Sequence, residues 1–94
     1  MDIPNIQVDD SELDVSDAQW SLGLPTLIFQ GTYRGSAIGR RYHWEALDSD
    51  GNVVASGDIF GAINPNMPTR LSIQFTPDIA PQVSTVKLVP VAYA

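Results

Sequence analysis

Trp44-Glu45-Ala46-Leu47-Asp48-Ser49-Asp50-Gly51-Asn52-Val53-Val54 reads as two β-strands joined by a tight turn. Ahead of the turn, Tyr42, Trp44 and Ala46 fall on one face, and Arg41, His43, Glu45 and Leu47 on the other. That period of two is the pattern of a strand with one buried face. The Asp50-Gly51 step supplies a residue that takes positive φ without a Cβ clash, as a hairpin tip requires. The pattern predicts strands over 40–47 and 53–59, paired near Leu47 and Val53, with Trp44 in the core.

The same period recurs on both sides of this hairpin. Over 26–34, Leu27, Phe29, Gly31 and Tyr33 alternate with Ile28, Gln30, Thr32 and Arg34. Over 69–76, Leu71, Ile73 and Phe75 alternate with Arg70, Ser72, Gln74 and Thr76. A last strand over 84–93 turns Val86 and Leu88 inward and Lys87 outward. Pro90 has no N–H to give a ladder, so this strand sits at an edge or bulges over its last part. Without a bulge, Val89, Val91 and Tyr93 form an exposed apolar strip that would mark an interface; with one, Val91 and Tyr93 turn inward. Pro65 and Pro68 break the crossing over 60–68, and Pro77 and Pro81 bracket another turn. No helix of ordinary length fits. The reading is an all-β, small antiparallel β-sandwich over 18–94, with a core of Leu27, Phe29, Tyr42, Trp44, Leu71, Ile73, Phe75, Val86 and Leu88.

Composition narrows the function classes. Ninety-four residues allow one domain with a modest core. There is no cysteine, so neither a disulfide nor thiolate chemistry is available, and a chain assembled in the cytosol is favoured. Met-Asp-Ile-Pro at the start has neither a basic region nor an apolar run, so no signal peptide is expected. No stretch approaches the ~18 apolar residues of a membrane span. Eleven acids against five bases give a net charge of -6, which argues against general nucleic-acid binding.

All of that charge lies in the first seventeen residues. Asp2, Asp9, Asp10, Glu12, Asp14 and Asp17 stand there without a Lys or Arg, whereas 18–94 holds five acids and five bases. Ile3, Ile6, Val8, Leu13 and Val15 are spaced between the acids. Residues 1–17 therefore read as an extended acidic N-terminal arm, with one short strand around 12–16, that leaves its own sandwich and lies on another subunit or another protein. The alternative is an arm that adds an edge strand to its own sheet. Arg34, Arg40 and Arg41 flank one loop: either a soluble rim, or a socket for the carboxylates of a neighbour's arm, since Arg pairs bidentately with carboxylate. Trp20 sits where arm meets body, as core lid or contact residue. The candidate partner-binding set is Ile3, Ile6, Val8, Asp9, Asp10, Glu12, Asp14, Asp17, Trp20, Arg34, Arg40 and Arg41.

Catalytic and metal chemistry find no foothold in the sequence. His43 is the only histidine and shares an outward strand face with Arg41 and Glu45, with no nucleophile placed beside it. Gly35-Ser36-Ala37-Ile38-Gly39 has glycines, but no helix follows to cradle a phosphate. Asp48-Ser49-Asp50-Gly51-Asn52 resembles a calcium loop for a few residues, yet an EF-type loop puts its glycine two positions later and ends on Glu where Ile59 stands. No enzyme activity, metal or cofactor is expected.

Residues 44–54 resemble the strand-turn-strand of Ig-like FxLYD-type domains, with Trp44 in place of the Phe, Ala46 of the Leu, Leu47 of the Tyr and Asp48 matching the Asp. The resemblance implies an Ig-like sandwich. An acidic arm on a small cysteine-free sandwich is also similar in architecture to small virion proteins of tailed bacteriophages, such as capsid decoration (cement) proteins. That implies a structural component of a virion, assembled in the host cytoplasm, whose partners are capsid subunits or neighbouring copies in a homo- or hetero-oligomer. A recognition module for carbohydrate or a host surface is the alternative, favoured by an exposed platform of Trp20 and Tyr33. An acidic inhibitor that mimics nucleic acid comes third, since it needs its carboxylates on a rigid face.

Overall fold

The computed structural model describes residues 2–21, 23, 25–36, 39–59 and 63–91. Among these, seven strands form: β1 (Asn5–Val8), β2 (Leu13–Trp20), β3 (Thr26–Tyr33), β4 (Tyr42–Leu47), β5 (Val53–Asp58), β6 (Thr69–Gln74) and β7 (Thr85–Pro90). A single 3-10 turn, Ala80–Gln82, precedes β7. One sheet has the order β1-β7-β4-β5 and the other β2-β3-β6. The two pack face to face as an all-β sandwich.

The alternation read from the sequence places the core. In β3 and β6, Leu27 pairs with Ile73 and Phe29 with Leu71. In β4 and β7, Trp44 pairs with Leu88 and Ala46 with Val86. All nine residues of the predicted core are buried, and Leu13, Tyr33, Ile59, Ile63, Ala80 and Val83 are buried with them. Trp44 meets the ring of Phe75 edge-on, with centroids 5.4 Å apart at 77°. Gly57 lies opposite Trp44, where a Cβ would sit 3.0 Å from the indole. The glycine is there because the ring fills the space a side chain would need.

The hairpin forms as predicted, with Leu47 paired to Val53 and Gly51 at φ 83°. Its turn is satisfied from within. Gly51 N donates to Asp48 O (3.0 Å) and Asp48 N to Asn52 O (2.9 Å). The Asp48 carboxylate accepts from the Asp50 and Asn52 amides, both at 2.9 Å. β7 carries no bulge against β4, and its last pair is Tyr42 with Pro90. Val91 N donates to Arg41 O, so N–H groups of the odd residues face β4 and the missing N–H of Pro90 faces the other side. There β1 has already ended, with Asp9 N on Leu88 O. Val89 and Val91 are half-buried rather than an exposed strip, and Tyr93 lies outside the described residues.

The acidic segment corrects two expectations. It does not leave its own sandwich: β1 pairs with β7 and β2 with β3, so the segment supplies one strand to each sheet. The sandwich is also not wholly antiparallel, because β1 runs parallel to β7. The physical reason is that apolar residues too sparse to build a core suffice to close the open side of an existing one. Leu13 is 5% exposed inside the core, and Ile6, Val8 and Val15 pack against it. The expected boundary between residues 17 and 18 falls within β2. That strand was legible only as a short piece because its period breaks. Ser16 pairs with Gln30 and Gln19 with Ile28, which leaves Asp17 and Ala18 together across from Phe29 as a bulge. Asp17 adopts φ 57° there, a left-handed conformation that Asp tolerates better than most residues.

Candidate functional site

β1 and β2 are the terminal strands of their respective sheets, and they lie side by side along one flank of the sandwich. An arch over residues 9–12 carries the chain from one sheet to the other. Its turn is partly local: Glu12 N donates to Asp10 Oδ1 (3.0 Å) and Leu13 N to Asp10 O (3.2 Å). Its anchor is distant in sequence. Asp10 Oδ2 accepts the Tyr42 hydroxyl at 2.6 Å and Arg40 Nη2 at 3.2 Å, and the Asp10 side chain is only 6% exposed. The Arg40 guanidinium lies over the Tyr33 and Tyr42 rings, 5.5 and 6.0 Å from their centroids.

This cluster perturbs its own titration. Burial pushes the Asp10 carboxyl up, but the hydrogen bonds from Tyr42, the Glu12 amide and Arg40, with the charge of Arg40, outweigh it and hold the group below the ordinary carboxylate value. Burial, and then the bond to Asp10, push the Tyr42 hydroxyl well up. Burial acts to lower Arg40, and its bonds to Tyr42 and Asp10 reverse the sign. The result is an ionised carboxylate fixed in a nearly closed site by three donors.

Arg34 pins the same arch from the outside. Its Nη2 donates to Ser11 O (2.8 Å), its backbone N to Glu12 O (2.7 Å), and its Nε pairs with Asp14 at 2.8 Å. The Arg34–Asp14 pair is well exposed, so its own contribution is below about 1 kcal/mol. The arginine loop is therefore a carboxylate socket, but two of its members are filled by this chain's own Asp10 and Asp14. Arg41 is exposed and takes no part in the cluster.

The remaining candidates divide by burial. Ile6 and Val8 are half-buried against the core, whereas Ile3 is 53% exposed. Asp9, Glu12 and Asp17 are exposed along the flank. Trp20 is half-buried; its Nε1 donates to Asp2 O (3.0 Å) and its ring meets Phe75 edge-on at 5.8 Å. It acts as a lid that ties down the start of the segment. Tyr33 is 2% exposed, so Trp20 and Tyr33 make no exposed aromatic platform. His43 Nδ1 lies 2.9 Å from Asp58 Oδ1 on the outer face of its sheet. The residue that sequence reading missed is Tyr42, assigned to the core with no account of its hydroxyl. The signal was there: a buried phenol needs a partner, and an acid in a polar turn is a natural one.

Between the two terminal strands runs a cleft of about 230 Å³, lined by Pro4, Asn5 and Ile6 on one side and by Val15, Ser16, Asp17 and Ala18 on the other. Asn5 N and Asp9 N bond to β7, so the backbone groups of Ile6 and Val8 point to the free edge. By the same alternation, Arg34 N on Glu12 O leaves the backbone groups of Val15 and the carbonyl of Leu13 facing outward. The flank thus presents unpaired backbone, an apolar floor and a rim of carboxylates. An edge of this kind has the parts by which an extended chain can add a strand. No protein-family model matches the chain, and no curated protein or solved structure is found similar to it.

Proposed function

We propose that this chain is a non-enzymatic structural subunit of a larger protein assembly, a virion component of the decoration or minor structural kind, that docks on neighbouring subunits through its N-terminal segment. The observation that supports this is the flank itself. The residues that carry all the net charge also form one open edge of each sheet, side by side on one flank of the molecule. The charge is thereby concentrated where backbone groups are free to pair. Assembly in the host cytoplasm fits a chain without cysteine.

The test is to reverse charge at Asp9 and Glu12, two exposed positions, with Asp9→Lys and Glu12→Lys. Folding should change by about 0.5 kcal/mol or less, while co-sedimentation with particles from the producing cells should be lost. Raising salt should weaken attachment of the parent chain in the same way. Undiminished co-sedimentation of the double variant sinks the proposal.

A second reading gains from one observation. Asp14 and Asp17 stand on a strand rather than on a loose arm, so part of the acidic set is held at a fixed spacing, which an acidic mimic of nucleic acid needs. Stoichiometric displacement of duplex DNA from a basic DNA-binding protein, with no attachment to particles, would favour it.

A further inference from the structure

We infer that residues 2–10 are an exchangeable strand: the seat they occupy on β7, Trp20, Arg40 and Tyr42 is equally a docking site for the same segment of a second copy of this chain. The inference rests on the reading of the N-terminal segment as a docking element and names its partner and mode.

The segment is a strand in its side-chain pattern beyond the four residues of β1. Pro4 is buried, Ile6 and Val8 are half-buried and the Asp10 side chain is 6% exposed, whereas Ile3, Asn5, Gln7 and Asp9 are exposed. Alternate residues thus enter four successive sites, and the others face solvent. This is the geometry of strand addition, in which main-chain bonds supply affinity and alternate side-chain sites supply specificity. The fourth site is the selective one. It accepts a carboxylate, held by Tyr42 and Arg40, two positions after an apolar residue. The order Pro4, Ile6, Val8, Asp10 meets that demand, and every copy of the chain carries it.

The attachments of the segment beyond its own arch lie far along the chain. Asp2 O accepts from Trp20, Asn5 N donates to Ser84 O, Asn5–Val8 run beside Thr85–Leu88, Asp9 N donates to Leu88 O and Asp10 takes Tyr42 and Arg40. β1 makes no ladder with β2, the strand that follows it. A second copy therefore offers each of these contacts unchanged, and exchange costs the local turn at Asp10, its two bonds to Glu12 and Leu13, and the Arg34 bond to Ser11 O. Opening the exposed Ser11 and Glu12 lets β1 and β2 run on as one long strand between two copies. Donor segment and acceptor seat are different surfaces, so the contact is head-to-tail and extends into chains or rings unless two copies reciprocate.

Engineered cysteines test this without interference, since the chain has none of its own. Gln7 and Lys87 are partners across the parallel ladder, on its outer face, and neighbouring strands lie within disulfide reach. Gln7→Cys protein is mixed with Lys87→Cys protein at high concentration, incubated and oxidised, and covalent species are read on a non-reducing denaturing gel. Exchange predicts a heterodimer in several-fold excess over the homodimers of either variant. The Gln7→Cys/Lys87→Cys double variant should give intrachain closure at low concentration and a ladder of multimers at high concentration. A mixture that yields no excess heterodimer, with a double variant that closes only within the chain at every concentration, overturns the exchange. If that internally closed protein still joins particles, the docking reading survives and only the exchange is lost. If the heterodimer forms but nothing joins particles, the exchange stands and the docking reading falls.

Discussion

The molecule has two short acidic connections that each turn on one aspartate, and they are built in opposite ways. In the hairpin turn over 48–52, the Asp48 carboxylate serves amides two and four residues ahead. In the arch over 9–12, the Asp10 carboxylate serves Arg40 and Tyr42, thirty and thirty-two residues away. The first is a local device that shapes two strands of one sheet. The second joins strands of different sheets and holds only if the rest of the sandwich has formed. Similar composition therefore encodes a self-contained turn in one place and a tertiary lock in the other.

The largest effect should come from breaking the lock. Asp10→Ala leaves the Arg40 charge without its carboxylate and the Tyr42 hydroxyl without its acceptor, and should cost about 2–4 kcal/mol in chemical denaturation. The acid limb of the stability curve sharpens this. Asp10 is held below its unfolded value of ~3.9, so its contribution is complete above that pH and is lost as pH falls through the lower folded value. Asp10→Asn should flatten that part of the acid transition relative to the parent chain.

Breaking the local turn should matter less. Gly51→Val forces a β-branched residue to φ 83° and should cost about 1–2 kcal/mol. Asp48→Ala removes two exposed-turn bonds and should cost about 1 kcal/mol. Thermal melts of Asp48→Ala and Asp10→Ala side by side decide the comparison: equal losses would mean that the arch is no more than another turn. The smallest effect is expected at Arg34→Ala, at about 1 kcal/mol or less and screened by salt, because its pair with Asp14 is exposed.

The same contrast explains what could be read without coordinates. The hairpin was legible because its causes sit next to one another in sequence: an alternating strand, Asp50-Gly51, and a Val-rich return. The core was legible because Leu27, Phe29, Leu71, Ile73 and Phe75 each follow the period of two. The seat of the acidic segment was not, for two physical reasons. The bulge at Asp17 and Ala18 interrupts the period and hides an eight-residue strand. The attraction between Asp10 and the Arg40–Tyr42 pair depends on distance in space, which charge counting does not supply. The opposite charges of arm and arginine loop are plain in the sequence, but not that one chain satisfies both.

The parallel pairing of β1 with β7 also sets an order of events. Asn5 faces Thr85, eighty residues later, so among the described strands β1 must wait for β7, the last of them to be synthesised. Until Leu88 has emerged from the ribosome, β1 has no strand of its own chain to complete its ladder. Contacts this remote in sequence slow folding, and chains made close together on one messenger would pass that interval in each other's company.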